Sequence, residues 1–252
     1  MTALVRAAIF DLDGTLVQTE VLKAQSYARA ATLLHPDPGV EGAVLAAYDD
    51  MVGRARDEVS AALMERVGLT PYAEAKRIEL GARSAQEAFS TLRLRIYEHM
   101  IADPQLLRRQ EYPRSTALLR SVHAARVPVG VATMSHRAQA RTLLHALDLD
   151  GEIDALVARD DVRKPKPDPE ICVVTAERLG VAPTECVVLE DSVPGIVAAL
   201  AAGSLCIAVT NAMTRRHVHD SGLLPAERVV DDPDRLSAVV MPLLHLAPPV
   251  QV

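Results

Sequence analysis

Ala7-Ala8-Ile9-Phe10-Asp11-Leu12-Asp13-Gly14-Thr15-Leu16 is the stretch on which the reading of this chain turns. A short apolar run, preceded by Leu4-Val5, stops abruptly at two carboxylates and a glycine. An unbroken apolar run of this length, bounded by a polar turn, predicts a strand buried on both faces that opens into a loop. The same theme recurs downstream. Residues 127–133 are apolar and end in Thr133-Met134-Ser135. Residues 186–189 end in Glu190-Asp191-Ser192, and residues 205–209 end in Thr210-Asn211. Helical patterns lie between these runs, over 114–126, 136–147, 168–179 and 197–202; the last two stop at Gly180 and Gly203. Strands alternating with helices predict an α/β fold: a doubly wound, Rossmann-like parallel sheet covered on both faces. Such sheets bind ligands beyond the carboxyl ends of their strands, where the polar clusters of this sequence fall.

Residues 18–103 read differently. They contain no buried-strand run, but Val59, Leu63 and Val67 before Gly68, and Tyr27, Ala31 and Leu34, keep helical spacing. The expected organisation is an α/β core of residues 1–17 and 104–252, with a small all-helical domain, residues 18–103, inserted after the first strand. Pro104 and Pro113 flank the return to the core.

The chain has 252 residues, 49% apolar, enough to bury a full core. With 27 basic and 33 acidic side chains the formal net charge is -6, and no long basic run is present. Nucleic acid is therefore not an expected partner, and an anionic ligand must be drawn in by local cations. The 3 cysteines, Cys172, Cys186 and Cys206, sit scattered in apolar runs and read as reduced, buried side chains. The longest uncharged stretch, 192–214, is interrupted by Pro194, Gly195 and Gly203-Ser204, so it reads as a short helix and a strand rather than a membrane span. Asp11 and Asp13 break any signal-peptide pattern. The expectation is a soluble cytoplasmic protein, monomeric or weakly self-associating, with no membrane partner and a disordered tail over 247–252.

The chemistry is carried by strand ends. Asp11 and Asp13 stand on the first turn and Glu190-Asp191 on another. Carboxylates converging there would repel one another and need a cation; hard oxygen ligands suit Mg2+, which can polarise a phosphoryl group. Lys164, in Arg163-Lys164-Pro165-Lys166-Pro167-Asp168-Pro169, sits in a stiff proline-rich loop that can aim an ammonium at a transferring phosphoryl group. Thr133 adds a hydroxyl, and backbone N–H groups at the next helix start can hold phosphate oxygens. Each feature has a plainer reading: Asp-X-Asp as a turn, Glu190-Asp191-Ser192 and Thr133 as helix caps, the Lys-Pro loop as a linker. Their combination on separate strand ends favours phosphate chemistry.

These residues resemble the haloacid dehalogenase superfamily, in its phosphatase and β-phosphoglucomutase-like branch. Asp11-Leu12-Asp13-Gly14-Thr15-Leu16 is similar to the first motif, Thr133 to the second, Lys164 with Pro165, Pro167 and Asp168 to the third, and Glu190-Asp191-Ser192 with Gly195 to the fourth. The inserted helices resemble the family's cap. The resemblance implies that Asp11 attacks phosphorus to form an aspartyl-phosphate, and that Asp13 protonates the leaving oxygen and then activates water. It implies Mg2+ held by Asp11, Asp191 and the Asp13 carbonyl, with Glu190 adjacent or acting through water. Thr133, Lys164 and the N–H groups of Leu12, Asp13 and Met134 would grip the phosphoryl group, and Ser192 would orient its loop. Asp13 argues against dehalogenase chemistry. Arg54 and Arg56, standing where phosphonate-cleaving relatives carry a Schiff-base lysine, argue against that reaction.

In the cap, the segment 53–58 resembles a β-phosphoglucomutase-like loop in which an arginine binds a distal phosphate. Arg56 is the matching residue, and Arg93 corresponds to a further basic position. Lys23 lies where the mutases carry histidine. The alternative for all of these is a solvated helix charge. His136 reads either as facing the cleft or as a helix-start residue. The implied function is Mg2+-dependent hydrolysis of a small-molecule phosphate ester, most simply a sugar phosphate. The alternatives are a hexose phosphate mutase and a catalytically silent binding protein on the same fold.

Overall fold

The computed structural model describes residues 4–51 and 56–246, so Arg54 and the tail over 247–252 lie outside the described residues. The chain divides into two compact units, Met1–Gln18 with Leu107–Val252, and Thr19–Leu106.

In chain order the elements are β1 (Ala7–Phe10), α1 (Thr19–Leu34), α2 (Val40–Tyr48), α3 (Arg56–Arg66), α4 (Thr70–Lys76), α5 (Ala85–Ile101), α6 (Pro104–Arg108), α7 (Pro113–Ala124) and β2 (Val129–Ala132). Then follow α8 (Arg137–Ala146), β3 (Ala155–Val157), α9 (Glu170–Arg178), β4 (Cys186–Glu190), α10 (Val193–Ala201), β5 (Leu205–Val209), α11 (Arg215–Ser221), β6 (Val229–Val230) and α12 (Leu236–Val240).

In the first unit, six strands form one sheet in the order β3-β2-β1-β4-β5-β6. Every pairing is parallel, with Ile9 opposite Gly130 on one side and Val188 on the other. Strand β1 is central and buried at every position, which is why its sequence is continuously apolar rather than alternating. The chain runs outward from β1 to β2 and β3, then crosses back to β4 beside β1. The carboxyl ends of β1, β2 and β4 therefore meet at the point where the winding reverses, the place where open α/β sheets form a crevice. The core on this unit joins Ile9, Val157, Ile171, Cys172, Val188 and Ile196. All of Cys172, Cys186 and Cys206 are free thiols in it.

Two strands were not anticipated from the sequence. Both are short: β3 is Ala155–Val157 and β6 is Val229–Val230. Runs of this length carry no period of their own, and only pairing with β2 and β5 defines them. A second difference concerns Pro194 and Gly195, read as chain breakers. Helix α10 instead begins at Val193, with Ser192 as its N-cap accepting from the Gly195 N–H, and Pro194 lies in the first turn. A proline costs nothing there, because the first-turn N–H groups have no helical acceptor.

The second unit is helical throughout its described residues. Helices α1, α2, α3 and α5 enclose a core of Tyr27, Ala31, Val44, Val59, Leu63 and Phe89. No described helix is long and apolar enough to cross a membrane.

Candidate active site

Asp11 directly follows β1, and its N–H still donates to the Leu189 carbonyl of β4 at 2.9 Å, so the sheet itself holds this carboxylate at the crevice. Gly14, three residues on, has φ of 93°, a conformation that favours glycine, and a Cβ there would overlap the Asp191 carboxylate. The glycine thus lets the first loop lie against the end of β4.

Lys166 is the cation of this cluster. Its ammonium donates to Asp11 Oδ1 at 2.6 Å, to Glu190 Oε1 at 2.5 Å and to the Ala132 carbonyl at 3.1 Å. Its side chain is 7% exposed, so three N–H donors meet three acceptors away from water. Burial alone would favour the neutral amine, but the charges of Asp11 and Glu190 outweigh it and hold Lys166 protonated, above its usual range.

This corrects the assignment of Lys164. That side chain is 74% exposed and pairs with Asp168 at 3.5 Å, not with Asp11. The N–H groups of Arg163 and Lys164 both donate to Glu170 Oε2, which holds this part of the loop outward. A turn closed by the Asp168 N–H on the Pro165 carbonyl then carries Lys166 inward. Both lysines sit in the same Lys-Pro repeat, so the sequence held the right loop and offered two registers.

Glu190 gives both carboxylate oxygens to protein donors. Its Oε1 accepts from Lys166, and its Oε2 accepts from the N–H and hydroxyl of Ser192 at 2.8 and 2.9 Å. It orients Lys166 and the start of α10. Gly195 permits this, since a Cβ there would overlap the Glu190 carboxylate.

Asp13 is gripped from β2. The Thr133 and Ser135 hydroxyls donate to the same oxygen, Oδ2, at 3.0 and 2.8 Å, and the Ser135 N–H donates to Thr133 Oγ1 at 3.0 Å. Ser135 was not singled out in the sequence; a second hydroxyl two residues after Thr133 was the available signal. Met134 lies between them, its sulfur accepting from the Lys166 N–H at 3.5 Å. Leu12 is fully buried, and its carbonyl accepts from Leu16 and Val17, shaping the turn. His136 precedes α8, pairs with Asp160 at 2.7 Å, and is a helix-start residue.

Asp11 carries the electrostatic signature of the site. Its pKa is pushed up to about 8, first by burial; Lys166 pulls it down, and the charges of Glu190 and Asp13 push it up again. Burial is the largest of these effects, and the Lys166 ammonium offsets it only in part. Among the described residues no three His, Cys, Asp or Glu side chains converge in a metal-holding group. Each of these carboxylates has a protein donor: Asp11 and Glu190 accept from Lys166, Asp13 from two hydroxyls, and Asp191 from the Asn211 amide.

The second unit carries its own basic cluster. Arg93 is 4% exposed, so it is not a solvated helix charge. Its guanidinium lies over the rings of Tyr27 and Tyr97, at 4.5 and 4.8 Å, and its Nε has no hydrogen-bond partner among the described residues. Arg56 is half-buried, and burial, then the charge of Arg93, lower its pKa. Lys23 pairs with Glu20 at 2.6 Å, and Glu20 also accepts from the Tyr48 hydroxyl at 2.7 Å.

The chain is similar to known proteins in sequence and in fold. The family model described as haloacid dehalogenase-like hydrolase matches residues 5–203. A phosphorylated carbohydrates phosphatase of Thermotoga maritima is 32% identical over 197 residues, 78% of this chain and 81% of that protein. A HAD family hydrolase from Deinococcus radiodurans R1, solved with bound phosphate and sodium, superposes with a TM-score of 0.71 at 25% identity, covering 98% of this chain and 100% of that one. A β-phosphoglucomutase from Clostridium difficile shares the fold, with a TM-score of 0.67 at 20% identity over 96% of this chain and 97% of that one.

Proposed function

Since the chain belongs to the haloacid dehalogenase-like hydrolases, we propose that it is a phosphatase hydrolysing a small phosphorylated metabolite, a sugar phosphate being the class favoured by its carbohydrate-phosphatase relative. The observation that carries the reading is Asp11 at the end of β1, paired with the buried Lys166, two residues before a hydroxyl-held Asp13.

The roles follow from the chemistry of each group. One oxygen of Asp11 is held by Lys166, which leaves the carboxylate oriented to attack phosphorus and become an aspartyl-phosphate. Asp13 gives its proton to the leaving ester oxygen, and as a carboxylate then takes one from the water that hydrolyses the intermediate. The Thr133 and Ser135 hydroxyls fix which oxygen of Asp13 stays on the protein side. Lys166 neutralises negative charge that builds on the phosphoryl oxygens. The N–H groups of Leu12 and Met134 are further donors for those oxygens.

The carboxylates of Asp11 and Asp191 and the Asp13 carbonyl are hard oxygen donors of the kind that suits Mg2+. When bound, the ion would supply Lewis-acid polarisation of the phosphoryl group. In the second unit, Arg56 and Arg93 are the candidate contacts for a polar or anionic substrate group.

Incubation with a panel of phosphomonoesters tests the reading. Free phosphate should appear, EDTA should stop its release, and Asp11→Asn should abolish turnover. Full turnover by Asp11→Asn would remove the nucleophile assignment. Conversion of β-glucose 1-phosphate to glucose 6-phosphate without free phosphate would select the mutase alternative.

A further inference from the structure

Asn211 stands two residues beyond β5, in a polar strand end to which the mechanism assigns nothing. Its side-chain amide donates to Asp191 Oδ2 at 2.9 Å and to the Gly14 carbonyl at 3.2 Å. Its own oxygen accepts from the N–H groups of Met213 and Thr214, at 2.9 and 3.1 Å, and its N–H donates to Thr214 Oγ1 at 3.2 Å. Acceptors on one side and donors on the other leave one amide orientation that satisfies all of them. The side chain is therefore a rigid strut. It links the ends of three strands: the loop after β1, the end of β4 and the end of β5.

We propose that Asn211 is a positioning residue that sets the Asp191 carboxylate in the orientation needed to hold the divalent cation. The inference rests on the cation site of the proposed function. A neutral amide is suited to the task. It fixes a carboxylate by donating a hydrogen bond without supplying a competing positive charge, so the carboxylate keeps its full charge for the ion. The same strut ties Asp191 to the backbone of Gly14, where the absent Cβ allows the close approach.

The experiment is Mg2+ titration calorimetry on wild type, Asn211→Ser, Asn211→Ala and Asp191→Asn, with thermal melts alongside. Serine can still accept from the Met213 and Thr214 N–H groups but cannot reach Asp191, so it preserves the turn while removing the strut. The expected result is a Mg2+ Kd raised about tenfold or more in Asn211→Ser, with a melting temperature close to wild type. The Mg2+ concentration for half-maximal phosphate release should rise by the same factor, with kcat at saturating Mg2+ nearly unchanged. A Kd within twofold of wild type in Asn211→Ser and Asn211→Ala, while Asp191→Asn loses binding, would overturn this inference alone. Absence of saturable Mg2+ binding by the wild type would overturn the cation site and this inference with it.

Discussion

The Lys166 ammonium lies 2.6 Å from Asp11 Oδ1, inside the protein, and no water is needed to satisfy either group on that side. The proposed nucleophile and its counter-charge are thus one preorganised unit, delivered by the end of β1 and by the loop before α9. Replacing Lys166 with methionine should lower kcat by a factor of about 100 or more, the scale of losing one charge-stabilising donor. It should also destabilise the fold by about 3–5 kcal/mol, because buried carboxylates lose their partner. Lys164→Ala should leave kcat within twofold of wild type and change stability by no more than about 0.5 kcal/mol, as for an exposed side chain. Steady-state kinetics and urea melts decide, and the reverse pattern would return the role to Lys164.

Ser135 and Thr133 share one oxygen of Asp13. Ser135→Ala removes one of these donors and keeps the other. It should reduce kcat about tenfold, with KM little changed, since the lost contact orients a proton-transfer group. A normal kcat in this variant would show that Thr133 alone suffices.

The pH dependence of stability follows from Asp11. Its folded pKa, about 8, is above the ordinary 3.8, so the folded chain binds that proton more tightly than the unfolded chain. The associated stability is fully present below about pH 4 and is lost as pH rises through about 8. Metal-free wild type should therefore melt at progressively lower temperature across this window relative to Asp11→Asn, and Mg2+ should reverse the trend. Parallel melting curves for the two proteins at every pH would contradict it.

Arg56 is half-buried with its charge opposed by Arg93. Arg56→Ala should raise KM about tenfold for the best substrate of the panel, with kcat nearly constant, as expected when a charged hydrogen bond worth about 1.5–3 kcal/mol in binding is lost. Arg93→Ala should raise KM and also lower the melting temperature, because its guanidinium packs on Tyr27 and Tyr97. An unchanged KM in both variants would mean that the cluster serves packing alone.

Much of the architecture could be read directly along the chain. Four apolar runs ending in polar turns mark the buried strands that the structure shows at β1, β2, β4 and β5, because a strand covered on both faces has no polar positions to spare. Asp11, Asp13, Thr133 and Asp191 announced themselves in the same way, as polar residues at the mouths of apolar runs. Spacing along one strand end is a local property, so the sequence by itself determined it. Tertiary structure alone decided which of Lys164 and Lys166 turns inward, that Glu190 spends its oxygens on Lys166 and Ser192, and that Asn211 joins three strand ends. Those choices depend on partners distant in the chain and on which donors each buried group must satisfy, and no local pattern encodes that pairing.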